Sequence, residues 1–487
     1  MIKLLDIRIC ITICCLSTII SCSNQKLYKD AYCIQNVHII DPLRGSIPDQ
    51  TIIIRDDAIE QIFASGEITL HPNNTIIDGT GKYIIPGLWD SHVHFAYMEH
   101  LADRMLDLFF CYGITSIRDI GGRIEFVKQW KDLAMTDPTR YPRVKIAGPL
   151  LDGMPNVYDG SRPQNPPLSV GLKDVAAVDQ MIDSLIAQGV DLLKAYEMLT
   201  PAQFTQIIER AKAQNLKVTG HVPLSMDVIS ASNAGMNSME HLRNLELSCA
   251  SNGEELLAQR LTMLEAGRDD TGAALRTRLH AAQRQTAIDN YDENVADNVL
   301  TKLSENDTWQ IPTLALNTAY VKMPFVDDDF QTSFKYLPDS TEIAWKEGIE
   351  AFSQRTLTDF NITYSDWMND MVKNIHDHDI PIMAGTDCPI FFLTPGLSLH
   401  LEMETLVNAG LEPLEVLKTA TYNPALYFNM EDQLGSINEG MIADLLILNA
   451  NPLDDISNTT KIESIFKNGV YHSRATIDER LEALDRM

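Results

Sequence analysis

The stretch Pro86-Gly87-Leu88-Trp89-Asp90-Ser91-His92-Val93-His94-Phe95 places two imidazoles at i and i+2 as an apolar strand ends. Successive side chains of a strand point to opposite faces, so His92 and His94 share one face and can hold one cation from one side. Spacing alone is weak, because His376-Asp377-His378 repeats it in a polar turn with no strand before it. Context separates the two pairs: the run Tyr83-Ile84-Ile85-Pro86-Gly87-Leu88-Trp89 leads through acidic Asp90 into the first. We therefore read His92 and His94 as metal ligands.

Downstream of Pro86 an apolar strand, a polar or glycine-containing turn and a helical stretch recur. The predicted strands are 84–92, 114–119, 144–150, 190–196, 216–221, 238–241, 309–316 and 380–387. Eight strands alternating with helices predict an α/β fold, a closed parallel (β/α)8 barrel over residues 86–430. A charged, largely helical excursion at about 245–305, densest over 254–304, is far longer than a crossover needs and predicts a lid or outer subdomain. Upstream, 31–40, 51–55 and 59–64 read as short strands broken by Asp41-Pro42 and Ser65-Gly66; downstream, 411–427 reads as helix, and 434–436, 443–448 and 464–470 as strands.

In such barrels chemistry sits at the carboxyl ends of the strands, and the metal-capable residues fall there. His92 and His94 close the first strand, Lys194 lies near the end of the fourth, His221 closes the fifth, His241 the sixth and Asp387 the eighth. Singly, each has another reading: a strand-end histidine can cap backbone groups, and an aspartate there can begin a turn. Agreement at five strand ends favours a metal centre.

Composition bounds the partners. With 487 residues, 45% hydrophobic and 22% charged, the chain can bury a barrel-sized core and a smaller domain. Lys+Arg of 39 against Asp+Glu of 67 gives a charge of minus 28, which repels phosphate backbones and anionic membranes and argues against nucleic acid. Residues 1–21, with Lys3 and Arg8 beside an apolar stretch, read as a signal peptide too short for a comfortable membrane span. Their loss removes the net plus 1 of Lys3, Arg8 and Asp6, taking the charge from minus 28 to minus 29. The leader ends in Ile19-Ile20-Ser21-Cys22, which resembles a bacterial lipobox. Cys22 would be lipidated as the mature N-terminus of an exported envelope protein, touching the membrane only through that anchor; an ordinary cleaved signal is the alternative. Cys33, Cys111, Cys249 and Cys388 are too scattered for a close-spaced disulfide framework or a Cys-x-x-Cys site.

The pattern as a whole resembles the amidohydrolase superfamily. The likeness is carried by Pro86 to His94, by Gly113-Ile114-Thr115-Ser116-Ile117-Arg118-Asp119, by Ser238-Met239-Glu240-His241-Leu242 and by Gly385-Thr386-Asp387. Within it, the layout is similar to the imidazolonepropionase and prolidase-like branch. The tail from Leu434 to Leu445 looks like the strands that fold back onto the N-terminal β segment, so the resemblance implies a composite β-sandwich of residues 22–85 and 431–475. It also implies that His92, His94 and Asp387 hold a buried metal, that His221 and His241 hold a more exposed one, and that carboxylated Lys194 bridges both.

A lysine beside two divalent cations cannot comfortably stay an ammonium, so its neutral amine can capture carbon dioxide. With the metals roughly 3.5 to 4 Å apart, a bridging water becomes hydroxide near neutral pH and attacks a carbonyl. Asp387 is placed to take the proton and pass it to the leaving nitrogen. Zinc suits the imidazole-rich set, although manganese, iron or cobalt fit it too. Tyr196 is either a ligand for the scissile carbonyl or a packed strand-end tyrosine. Cys388 puts an oxidisable thiol beside Asp387, and His400 reads as supporting or structural; His38, His71, His100, His280, His376, His378 and His472 carry no assignment. Three readings follow: a two-metal amide hydrolase acting on a dipeptide or N-acyl amino acid, a one-metal cyclic-amide hydrolase or deaminase, and a non-catalytic nutrient-binding lipoprotein. The oligomeric state is left open, an oligomer being compatible with all three.

Overall fold

The computed structural model describes residues 30–486, so the leader 1–21 and Cys22 lie outside the described residues. The short strands at the two chain ends meet in one sheet. Its N-terminal members are β1 (Tyr32–Asp41), β2 (Gly45–Arg55), β3 (Ala58–Ala64), β4 (Thr75–Asp78) and β5 (Tyr83–Pro86). β5 pairs parallel with β1 on one side and antiparallel with the strand Leu445–Leu448 on the other, making it the seam between the chain ends. Ile34, Ile39, Ile52, Ile54, Ile84, Leu445, Ile447 and Phe466 form its core. The Tyr32 and Phe466 rings are 5.5 Å apart, yet two strands intervene, a separation of roughly 14 Å in a flat sheet. The sheet therefore curls over itself.

A single glycine separates β5 from β6 (Leu88–Val93), where the parallel strands begin. They continue as β7 (Ile114–Asp119), β8 (Arg143–Ile146), β9 (Leu150–Gly153), β10 (Ser169–Leu172), β11 (Leu192–Ala195), β12 (Lys217–Gly220), β13 (Ser238–Glu240) and β14 (Trp309–Ile311). The regular ladders form separate sheets, β6-β7-β8, β10-β9-β11-β12 and β13-β14. Single backbone hydrogen bonds link them, Asp191 N to Ile146 O at 2.8 Å and Asn237 N to Val218 O at 2.9 Å, each answered by the same residue's side chain, which accepts from Ile146 N and Val218 N. The C-terminal tail supplies β15 (Leu445–Leu448), β16 (Ile462–Lys467) and β17 (Val470–Ser473).

The predicted eighth strand, 380–387, is not a regular strand. It runs between β14 and β6 on isolated bonds, with Met383 N donating to Gln310 O at 3.0 Å and Ser91 N to Ala384 O at 3.0 Å. Two features break its ladder: Pro381 has no N–H to donate, and Asp387 takes a left-handed backbone at φ 64°. The tail segment 434–436, expected as a strand, is also irregular, with Gly435 at φ 87°.

The excursion after β13 is helical as expected, with helices Gly253–Ala266, Gly272–Asp289 and Glu293–Glu305. A second one, not foreseen, lies between β14 and residue 380 and contains helices Leu314–Lys322, Asp339–Ser353 and Asp359–Asp377. Cys33, Cys111, Cys249 and Cys388 are free and buried. Among the described residues no helix is long and apolar enough to cross a membrane.

Candidate active site

The strand ends deliver their side chains to one cavity of about 120 Å³, lined among others by His94, Lys194, His221, His241 and Asp387. His92 stands behind it with no exposure. Asp387 is the centre of the group. Its Oδ1 lies 3.2 Å from His92 Nε2 and 3.1 Å from His94 Nε2, and its Oδ2 lies 3.6 Å from His241 Nε2. Donor atoms of His92, His94 and Asp387 all fall within 4.8 Å of one another.

Each imidazole has its far nitrogen committed. His92 Nδ1 is 2.7 Å from Glu240 Oε2, His94 Nδ1 3.1 Å from Gly121 O, His221 Nδ1 2.5 Å from Glu197 Oε1, and His241 Nδ1 2.6 Å from Thr313 Oγ1. Such contacts fix ring orientation and the proton on Nδ1, leaving each Nε2 as a lone-pair donor. His92 Nε2 and Asp387 Oδ1 are buried and unsatisfied by any protein hydrogen bond. Orphaned buried donors in a histidine and carboxylate set are what a divalent cation would complete, so the residues present fit a metal.

The backbone around the site is shaped for this. Gly220, at φ 133°, would carry a Cβ 1.9 Å from the Ala195 carbonyl oxygen, so only glycine lets His221 come alongside the Lys194 strand. Asp90 accepts from His92 N at 3.2 Å and from Thr386 Oγ1 at 2.7 Å, tying the two ligand-bearing segments together, and burial pushes its carboxyl up to about 7. Asp119 accepts from Phe95 N at 2.7 Å and fixes the turn after His94; burial pushes it up to about 6.

Lys194 is buried, and its Nζ makes no hydrogen bond among the described residues; it faces the Tyr196 ring at 5.9 Å. Burial pulls its ammonium down to about 8, against the opposing pull of Glu240 and Asp387. Burial likewise holds His221 at about 3 and His241 well below the ordinary range, so both rings are neutral. Burial works to raise the Asp387 carboxyl, but the surrounding imidazoles outweigh this, and it lies well below the ordinary carboxylate range.

Tyr196 lines the cavity, its ring 4.3 Å from that of His221 and its hydroxyl 3.3 Å from Arg276 Nη1. Cys388 is fully buried, which raises its thiol well above the ordinary range and keeps it protonated. His400 is away from the cavity, its nitrogens engaged by Thr459 Oγ1 at 2.8 Å and Tyr112 O at 2.9 Å, and is structural. Sequence reading gave no role to Glu240, Glu197, Arg118 or Thr313. Arg118 and Glu240 did leave a signal, as charged residues inside apolar strands, where burial demands a partner. Thr313 left none, since nothing in its neighbourhood announces that it meets a histidine 72 positions earlier.

No curated protein matches the chain significantly in sequence. Solved structures do match in fold. A Xaa-Pro dipeptidase with bound methionine in its active site is 18% identical with TM-score 0.65, covering 91% of this chain and 100% of that one. Bottromycin amidohydrolase is 19% identical with TM-score 0.68, covering 93% of this chain and 90% of that one. A prolidase complexed with N-methylphosphonate-L-proline is 18% identical with TM-score 0.63, covering 91% and 100%. The sequence profile of the amidohydrolase family matches residues 83–471, the span from β5 through every candidate ligand to β17. The chain thus belongs to the amidohydrolase family, hydrolases that act on carbon–nitrogen bonds.

Proposed function

We propose that the protein is a metal-dependent hydrolase of an amide or peptide bond in a small substrate, a dipeptide or N-acyl amino acid, built on a (β/α)8 barrel. The observation that carries this reading is the set of four imidazoles with Nδ1 committed, three of which, His92, His94 and His241, set Nε2 within 3.6 Å of Asp387 while His221 lines the same cavity. His92, His94 and Asp387 would hold one divalent cation, His221 and His241 a second, and Lys194, as a carbamate, would lie between them. Zinc fits the donor set best. When bound, divalent cations supply Lewis acidity, lowering the pKa of water and polarising a carbonyl.

The chain's own groups do the rest. Asp387 accepts the proton of the attacking water and hands it to the leaving nitrogen, so water adds as hydroxyl to the acyl carbon and as hydrogen to the amine. Tyr196 is placed at the cavity wall to orient the substrate carbonyl. A one-metal reading has one specific observation in its favour: only His92, His94 and Asp387 bring donor atoms within 4.8 Å of one another among the described residues.

Elemental analysis of the purified chain is expected to give about two divalent metals, with one at saturation favouring the one-metal reading. A screen of dipeptides and N-acyl amino acids on metal-loaded protein should find a cleaved substrate. Asp387→Asn should retain metal yet lower kcat by about 100-fold or more, and parental turnover in that variant would remove Asp387 as proton carrier.

A further inference from the structure

Besides Lys194, one guanidinium in the cavity is unmatched among the described residues. Arg243 lines the same wall as His241 and Asp387, its Nε is buried without a hydrogen bond, and its guanidinium has no ion-pair partner among the described residues. Arg276, the other guanidinium lining the cavity, is accounted for by Glu197 at 3.9 Å and the Tyr196 hydroxyl. Arg243 as a whole is half-buried, so its Nε is left without a partner while the rest of the guanidinium can be reached from the cavity, and its planar fork matches a carboxylate in two parallel bonds.

The position of Arg243 is built. His241, Leu242 and Asn244 around it have left-handed backbones at φ 61°, 54° and 68°. Asn244 is held there by Arg260 Nη1 on its Oδ1 at 2.9 Å, while its own Nδ2 donates to Val222 O at 3.0 Å. The opposite chemistry is missing. Among the described residues Asp387 is the one carboxylate lining the cavity, and it is already surrounded by His92, His94 and His241. A substrate ammonium would find no acid to pair with, whereas Leu150, Leu168, Leu316 and Ile390 offer apolar wall to an acyl group.

We propose that Arg243 binds the carboxylate of the substrate, and that the enzyme prefers N-acyl amino acids over dipeptides with a free amine and over amides lacking a carboxylate. This rests on the hydrolase reading for its chemistry but not for its binding. Three closely related probes separate the charges: N-acetyl-L-leucine, glycyl-L-leucine, which adds an ammonium, and the isosteric N-acetyl-L-leucinamide, which removes the carboxylate. With metal-loaded full chain, kcat/KM for the first should exceed the other two by about 30-fold or more, and Arg243→Met should bring it down toward the leucinamide value, mainly through KM. Arg243→Lys, which keeps the charge but loses the fork, should fall between.

Binding is read independently by calorimetry on the ketomethylene analogue of N-acetyl-L-leucine, in which a methylene replaces the amide nitrogen, and on its primary amide. The acid should bind the parent and lose about 30-fold in Arg243→Met, with Arg243→Lys again between. Equal affinity of acid and amide, no binding of either, undiminished binding to Arg243→Met, or equal cleavage of glycyl-L-leucine would each overturn the proposal. Arginine-dependent binding of the acid with none of the three amides hydrolysed would instead leave the carboxylate site standing and remove the hydrolase reading.

Discussion

Replacing Glu240 by alanine should injure the protein in two separable ways. Its Oε2 lies 2.7 Å from His92 Nδ1 and its Oε1 2.8 Å from Arg118 Nη2, and the Thr219 hydroxyl also donates to it. All of this is buried, Arg118 and Glu240 having no exposure. Without the carboxylate, Arg118 keeps its bond from Nε to the Ser91 carbonyl at 2.5 Å and its place over the Tyr427 ring, 5.7 Å from the centroid, but no ion-pair partner among the described residues. Breaking a buried pair by removing one partner costs about 3–5 kcal/mol. His92 meanwhile loses the acceptor that orients its ring, a loss that ordinarily costs about 10–100-fold in metal affinity. Adding Arg118→Met removes the stranded charge, so the double variant should regain at least about 1 kcal/mol over Glu240→Ala. It should not regain metal affinity, because His92 still lacks its acceptor. Urea unfolding of chelator-treated protein reads the first quantity, and competition for zinc with a chromophoric chelator reads the second. A stability loss below about 1 kcal/mol for Glu240→Ala, or zinc affinity restored by Arg118→Met, would refute the reasoning.

Lys194→Ala should lose the second metal and most activity, with partial rescue by acetate standing in for the carbamate; full activity would remove the bridging role. Asp444 is buried with Lys467 Nζ at 3.1 Å and Arg143 alongside; burial raises its carboxyl, but the two cations more than offset this and hold it below 3.8. A depressed folded-state pKa means its stabilisation is present above pH 3.8 and fades as pH falls through the folded value. The urea midpoint of Asp444→Asn should therefore trail the parent near neutrality and converge with it in acid, and a gap independent of pH would contradict the assignment. If Cys22 is a lipidation site, labelled fatty acid should enter the expressed full chain and not Cys22→Ser.

The candidate site was legible wherever a chemically distinctive side chain coincided with a strand end. His92 and His94 declared themselves by period and context, and His221, His241 and Asp387 by closing apolar runs. The alternation of strands and helices was equally plain, because parallel strands buried on both faces read as apolar runs. What could not be read was contact between distant segments. The pairing of His221 with Glu197, or of Thr313 with His241, follows from three-dimensional closure. The irregularity of residues 380–387 had a visible cause in Pro381, but the left-handed turn at Asp387 is imposed by the neighbouring segments, with its N–H donating to His92 O at 2.7 Å.

The helical insertion expected as a lid or outer subdomain is better understood as a wall of the site. Helix Gly272–Asp289 brings Arg276 to within 3.9 Å and His280 to within 3.7 Å of Glu197, the residue that grips His221. Helix Gly253–Ala266 brings fully buried Arg260 to Asn244, with its Nε bonded to Gln283 Oε1 at 2.7 Å. Non-glycine residues in left-handed conformations cost about 1–3 kcal/mol each, and three of them cluster at His241, Leu242 and Asn244. Such a loop keeps its shape only when its surroundings over-determine it. The insertion supplies that constraint, so its removal should disorder the Arg243 wall and loosen His221 before it affects His92, His94 or Asp387. Those three are tied to residues outside the insertion, Asp90, Gly121 and Glu240.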